Sequence, residues 1–470
     1  MSEPPTSAPA SSNPRLQALL GHEFFAPHHW KRRLVLWAGA VLVALAAILF
    51  AKASVWSYEL FLRILDHGIW IPLILTPLVF GLLAWATEGR LRATRGSGIP
   101  QVIASLHIED GGFRTRMLSL PVAAGKMVLT LASLAVGASI GREGPTVHVG
   151  AALFYSIGRR FGFSDPKAAS RFILAGGAAG IAAAFNTPLA GVVFAIEELA
   201  GTFEHRFSGL LLTAVIIGGV VSLGVMGNYS YFGEVDASLP LGSAWLAVLL
   251  TGIGCGLLGG LFARLILLSR RGPLAQVGRL RARWPVLFAA GCGLALAVLG
   301  VCTHNSIYGT GYDQARAIVQ GTAAMPGQDF GIAKLLANVV SYWAGIPGGI
   351  FSPALAVGAG LGQNIAHLLP GAPAGAVVLL GMSAYLAGVT GSPLTSAIMA
   401  ACLLARAAAS LFCPTPVYRD FAERMVRDAE RQQQAERAHQ QPARPLPAAA
   451  ETTAYPDSAE SGKPQHPGKP

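Results

Sequence analysis

Apolar residues fall along this chain in long runs with polar breaks between them. The weakly charged stretches are 34–51, 69–87, 120–140, 172–196, 208–227, 242–269, 284–302, 353–369 and 374–405. A helix rises about 1.5 Å per residue, so roughly 20 residues cross the hydrocarbon core of a bilayer. Several of the runs reach that length. The pattern predicts an all-α polytopic membrane protein. Polar sequence lies at both ends. Residues 1–33 are polar and close with Lys31, Arg32 and Arg33 before the first span, so no secretory signal peptide is expected. From about Phe421 the apolar pattern stops. The sequence to 470 is rich in Pro, Gln and Ala, which predicts a disordered tail with room for a short helix through about Arg431. The expected organisation is an N-terminal segment (1–33), a membrane domain (34–420) and a tail (421–470).

Composition sharpens this picture. Hydrophobic residues make up 53% and charged residues 13% of the chain, against roughly 25% charge in average soluble domains. The formal net charge of +11 raises the question of nucleic acid, and the placement of the charge answers it. Arg264, Arg270, Arg271, Arg279, Arg281 and Arg283 cluster between two apolar runs, as the positive-inside rule expects of a cytoplasmic loop. Lys31 to Arg33 put the N-terminus on the same side, and the tail is expected there too. No nucleic-acid partner is expected. Cys255, Cys292, Cys302, Cys402 and Cys413 are scattered in or beside apolar runs without CxxC spacing, so they read as packing residues. Neither a metal nor a cofactor is expected.

The chemistry lies in the breaks. GREGP (Gly141 to Pro145) puts an Arg-Glu pair between two apolar, small-residue flanks. A buried ion pair is a poor stability device, and an ionisable residue at membrane depth is a functional candidate. GSGIP (Gly96 to Pro100) and GGIFSP (Gly348 to Pro353) have the same form. Glycine lets the backbone turn and approach a ligand, and proline suits the first turn of a helix. A helix start presents unpaired N–H groups and a partial positive charge, which together bind anions. Partial charges also let the anion leave again, as conduction requires.

The breaks repeat. GREGP is followed by FNTPLAGVVFAIEEL (Phe185 to Leu199), and GGIFSP by TGSPLTSAIMAACLL (Thr390 to Leu404). Pro145 and Pro188 are 43 positions apart, and Pro353 and Pro393 are 40 apart. Internal repeats with interrupted apolar segments mark many secondary transporters. Repeat one is expected over about 34–230 and repeat two over about 242–413.

GSGIP, GREGP and GGIFSP, in this order, resemble the signature motifs of the CLC chloride channel and transporter family. GGAAGIAAAFNTPLAGVVFAIEE (Gly176 to Glu198) is similar to that family too. The resemblance covers about residues 30 to 420. It implies a homodimer with a separate anion pathway in each subunit, each subunit an inverted repeat of tilted and broken helices. Ser97, with Gly98 in the same turn, would coordinate a central chloride. Ile350 and Phe351 would supply backbone N–H groups. Glu143 would be the gating glutamate, whose ionised carboxylate takes the outer anion position and swings away when protonated. Glu198 would pass protons to the cytoplasm, and the Tyr418 hydroxyl would close the inner side of the chloride site. Arg142 reads as a positioning residue hydrogen-bonded to nearby backbone, and His148 as a packing histidine. The implied function is chloride transport, with chloride, protons and the lipid bilayer as partners. An acid at position 198 favours proton-coupled exchange, whereas passive channels of the family typically lack it. The other reading of Glu197 and Glu198 is a cap at the cytoplasmic end of a helix. Serine at 97 favours chloride over nitrate, and an intact GSGIP disfavours fluoride. The lack of appended domains suggests a bacterial inner membrane.

One feature departs from the family pattern. The apolar sequence after Pro188 runs on to about Met226, but after Pro393 it ends near Phe412. About one helix of the second repeat is missing near residue 400, from the part that forms the dimer interface in relatives. This puts dimerisation, the placement of Tyr418 and transport itself in question. A passive chloride channel and a non-transporting, diverged copy are therefore the alternatives to exchange. A hydrolase reading has one foothold, GASIG (Gly137 to Gly141), which matches a GxSxG elbow around Ser139. That motif needs a preceding strand, and here an apolar helical run precedes it. GAGLGQ (Gly358 to Gln363) likewise lacks the βαβ context of a nucleotide site. The chain is not expected to be an enzyme.

Overall fold

The structure, a computed structural model, describes residues 27–89, 91–200, 209–227, 232, 241–268, 275–396 and 417–440. Among these residues the regular structure is helical. The first half holds α1 (Pro27–Asp66), α2 (Ile71–Glu88), α3 (Ile99–His107), α4 (Gly111–Met117), α5 (Leu120–Leu134), α6 (Glu143–Arg160), α7 (Pro166–Phe185), α8 (Pro188–Phe194), a π-helical turn (Ala195–Ala200) and α9 (Gly209–Met226). The second half holds α10 (Leu241–Leu268), α11 (Ala275–Arg283), α12 (Pro285–Cys302), α13 (Tyr312–Gln320), α14 (Phe330–Trp343), α15 (Phe351–His367), α16 (Ala374–Thr390) and α17 (Val417–Gln440). Seven helical stretches among the described residues are long and apolar enough to cross a bilayer, the first being Arg33–Asp66. Leu78, Trp85, Val220 and Leu287 lie exposed on them, as lipid-facing positions do.

Small residues set the helix spacing. Without a hydrophobic drive between helices in lipid, close packing of backbones holds them together. A methyl group added at Gly176 of α7 would sit 2.7 Å from Phe154 Cβ of α6, and one at Gly381 of α16 would sit 2.7 Å from the Gly358 carbonyl of α15. Both pairs of helices therefore pack too closely for any larger residue.

The halves share a core. Phe61, Phe80, Leu83 and Leu134 pack in one cluster with Leu296, Tyr308, Ala337 and Ile346, and Val136, Ala138 and Ile140 belong to it. Those last three belong to the chain that leads into GREGP, so the core fixes the approach to the site. Ser139 Oγ donates to Asn338 Oδ1 at 2.6 Å, and Ser341 Oγ accepts from the Ser139 N–H at 3.1 Å. Ser139 is thus a strut between the halves, with helix α5 rather than a strand before it.

The structure extends two expectations from sequence. Helix α1 continues past the apolar run at 51 to Asp66. Residues 421–440, placed in the tail with a helix only to about Arg431, continue α17 to Gln440. Compact packing divides the chain into Met1–Arg427 and Asp428–Pro470. The expected deletion near residue 400 lies among residues 397–416, outside the described residues, as do Cys402 and Cys413.

Candidate anion and proton site

The GSGIP turn is built on two left-handed glycines, Gly96 (φ +66°) and Gly98 (φ +100°), with Gly98 capping α3. A side chain at Gly98 would be strained, and its Cβ would lie 2.6 Å from His148 Cβ and 3.0 Å from Lys126 Nζ. Three motifs are then stitched together through their backbones. Gly141 and Gly349 exchange two N–H···O bonds of 2.7 Å, and the Gly348 N–H donates to Gly96 O at 3.3 Å. A Cβ at Gly144 would collide with the Ser97 side chain. The starts of α3, α6 and α15 therefore meet.

The start of α17 joins them. Tyr418 is buried and stacks on Phe351, with ring centroids 6.3 Å apart and planes 11° apart. Phe185 and Phe194 meet Phe351 edge-on at 6.1 and 5.9 Å. The Tyr418 hydroxyl and Ser97 Oγ lie close enough to interact, yet among the described residues neither forms a well-made hydrogen bond. Buried hydroxyls without such a bond are costly unless a ligand uses them. Whatever lies near residue 400, Tyr418 reaches the site.

Glu143 opens α6 and is fully buried. Its Oε1 accepts from Ser352 Oγ at 2.6 Å, and its Oε2 from the Ser352 N–H at 3.4 Å. Its carboxylate is thus bonded at the start of α15, beside Ile350 and Phe351. Arg142 donates from Nη1 to the Ala51 carbonyl at 2.7 Å, which ties the motif to α1. His148 Nε2 pairs with the Met117 carbonyl at 2.9 Å.

The second acid sits elsewhere. Glu198, in the π-helical turn, is buried. Its Oε2 accepts from Ser392 Oγ, and its Oε1 has no partner among the described residues. Tyr418 lies within electrostatic reach of both Glu198 and Glu143. The two acids of AIEEL have different partners. The Glu197 carboxylate accepts from the Leu394 N–H at 3.0 Å, the Thr395 N–H at 2.6 Å and the Thr395 hydroxyl at 2.6 Å, in the turn at 393–396.

Sequence reasoning missed Lys126. It is fully buried in α5, with Nζ donating to Gly96 O at 3.2 Å. Lys334 sits in α14, and its Nζ reaches the carbonyls of Ile307 and Gly309 at 2.6 and 2.8 Å. Each lysine stands 19 positions before the proline of its half, Pro145 or Pro353. A lone lysine in an apolar run was the available signal. Lys334 is absorbed by backbone carbonyls, whereas among the described residues Lys126 Nζ donates to the Gly96 carbonyl alone, beside the Ser97 turn.

Residues 80–413 match the family described as voltage gated chloride channel. The chain belongs to that family. Among relatives of the voltage gated chloride channel family, it is 31% identical over 387 residues to the H(+)/Cl(-) exchange transporter ClcA of Yersinia pestis bv. Antiqua (strain Angola), covering 76% of this chain and 77% of that one. The ClcA of Cronobacter sakazakii (strain ATCC BAA-894) is 30% identical over 437 residues, covering 84% and 90%. The fold is that of a slow cyanobacterial Cl-/H+ antiporter (TM-score 0.67, 22% identity, 84% and 97% covered). It is also that of a CLC-type fluoride/proton antiporter (TM-score 0.68, 24% identity, 82% and 96% covered). This family of transporters and channels makes the chain a multi-pass integral membrane protein.

Proposed function

We propose that the chain exchanges chloride for protons, with Glu143 as the gate. The observation that carries the reading is the fully buried Glu143 carboxylate bonded to Ser352 where the starts of α6 and α15 meet. A carboxylate is an anion that one proton cancels. It competes with chloride for the same N–H groups when ionised and frees them when protonated. The neighbouring hydroxyls of Ser97 and Tyr418, with the N–H groups around Gly98, Ile350 and Phe351, hold the central chloride. Glu198, buried and among the described residues bonded through Oε2 alone, passes protons to the cytoplasmic side. The names of the ClcA relatives support exchange over a passive channel. Chloride rather than fluoride is the cargo, on the intact GSGIP turn. The protein sits as a homodimer in a bacterial inner membrane with both termini cytoplasmic, the Arg264–Arg283 cluster marking that face. The equivalent lysines Lys126 and Lys334, and the paired turns Gly96/Gly98 and Gly309/Gly311, all with positive φ, support the inverted repeat.

The test is anion and proton flux from liposomes under a chloride gradient. Exchange requires chloride-driven proton movement in the wild type, lost in both Glu143→Ala and Glu198→Gln while chloride flux persists. Chloride flux without protons in the wild type makes the protein a channel and removes the role of Glu198. No flux from folded protein favours a diverged copy, with the shortened second half as the cause.

A further inference from the structure

The helix-start chemistry of GGIFSP uses backbone N–H groups and Pro353; it has no need of a hydroxyl at position 352. The chain has one there, and it is engaged. Ser352 is buried, and its Oγ donates to Glu143 Oε1 at 2.6 Å while its own N–H lies 3.4 Å from Oε2. One residue of the second half thus holds both carboxylate oxygens of Glu143. The backbone contact survives any substitution except proline. The hydroxyl contact exists only because residue 352 is serine.

We propose that Ser352 is a positioning residue that sets how firmly the Glu143 carboxylate holds the outer anion position against chloride and against protonation. The proposal rests on the reading of Glu143 as the gate. A hydroxyl that donates to a carboxylate stabilises the ionised form over the neutral one, and more so where water is excluded. The other titratable groups around this junction are Arg142 on α6, tied to the Ala51 carbonyl, His148 in the second turn of α6, Lys126 in the middle of α5, Tyr418 at the start of α17, and Glu198, within electrostatic reach of Tyr418. Ser352→Ala substitutes none of these side chains. Removing the hydroxyl therefore weakens the ionised gate selectively, and the gate opens at higher pH.

The experiment is chloride efflux from liposomes as a function of pH. It compares wild type, Ser352→Ala, Ser352→Cys, Glu143→Ala and the Glu143→Ala/Ser352→Ala double variant. Loss of a hydrogen bond to a charged group weakens the hold about tenfold or more, so the half-maximal pH of efflux in Ser352→Ala moves up by about one unit. Ser352→Cys, a weaker donor of similar size, shifts the same way by less. In the Glu143→Ala background, removing Ser352 Oγ leaves the pH profile unchanged. Two results overturn the proposal. One is a Ser352→Ala profile superimposable on wild type. The other is an effect of Ser352→Ala that is as large without Glu143 as with it, which assigns the hydroxyl to chloride or to folding. Failure of the gate reading itself shows differently: Glu143→Ala then keeps the pH profile and the proton coupling of the wild type.

Discussion

Gly144 is where one methyl group tests the assembled site. It follows Glu143 in the first turn of α6, and its Cα faces Ser97. A Cβ there collides with Ser97 Oγ and also lies 3.0 Å from Ser97 O and 3.2 Å from Ser97 Cβ. Rotating the hydroxyl away does not relieve the last two contacts, so the turn itself must move. Heavy atoms settle about 3.5–4.0 Å apart, so the displacement is on the order of 1 Å. Overpacking of this kind costs about 1–3 kcal/mol. A donor to a charged ligand is worth about 1.5–3 kcal/mol, and at 1.4 kcal/mol per decade its loss weakens chloride binding about ten- to hundredfold. Isothermal titration of chloride into purified Gly144→Ala measures this directly. Gly111→Ala, at the start of α4 where a Cβ meets nothing within 4 Å, is the control. Chloride binding by monodisperse Gly144→Ala within about twofold of wild type would refute the convergence of α3 and α6 on one anion.

The remaining expectations concern neighbouring residues. Lys126→Met removes a buried donor beside the Ser97 turn and is expected to lower chloride affinity about tenfold with little loss of thermal stability. Lys334→Met strips the partner from the Ile307 and Gly309 carbonyls, so it is expected to cost about 2–4 kcal/mol of stability, read as a lower melting temperature in detergent, with chloride affinity kept in the folded fraction. Glu197→Ala removes the acceptor of the Leu394 and Thr395 N–H groups, at a cost of about 1–3 kcal/mol in the same melt, and leaves proton coupling intact. Loss of coupling in Glu197→Ala would assign the proton route to the wrong acid of AIEEL.

Much of this was legible in the chain. Runs of about 20 apolar residues have few options in a bilayer, because unpaired backbone groups in lipid force helices. Gly-Pro breaks announce helix starts for a local reason: positive φ at Gly96 and Gly98 is a property of glycine, and Pro100 fits the first turn wherever the helix goes. The acid in GREGP stood out because its flanks were apolar. The length of α17 was underestimated, since polar residues with helix propensity carry no apolar stripe to count.

The sequence by itself determined the membrane class, the positions of the helix starts and the identity of the residues that carry charge. The tertiary structure alone decided which of them meet. Glu143 and Ser352 are 209 positions apart, and no local pattern links them. The same holds for Glu198 with Ser392, for Phe351 with Tyr418, and for the different partners of Lys126 and Lys334. Glu197 and Glu198 are adjacent in sequence and equivalent in composition. Their partners differ because the π-helical turn aims one at the Leu394 and Thr395 N–H groups and the other at Ser392. Local propensity depends on neighbours within a turn or two. A site built from four helix starts depends on long-range packing, and that is visible only once the chain has folded.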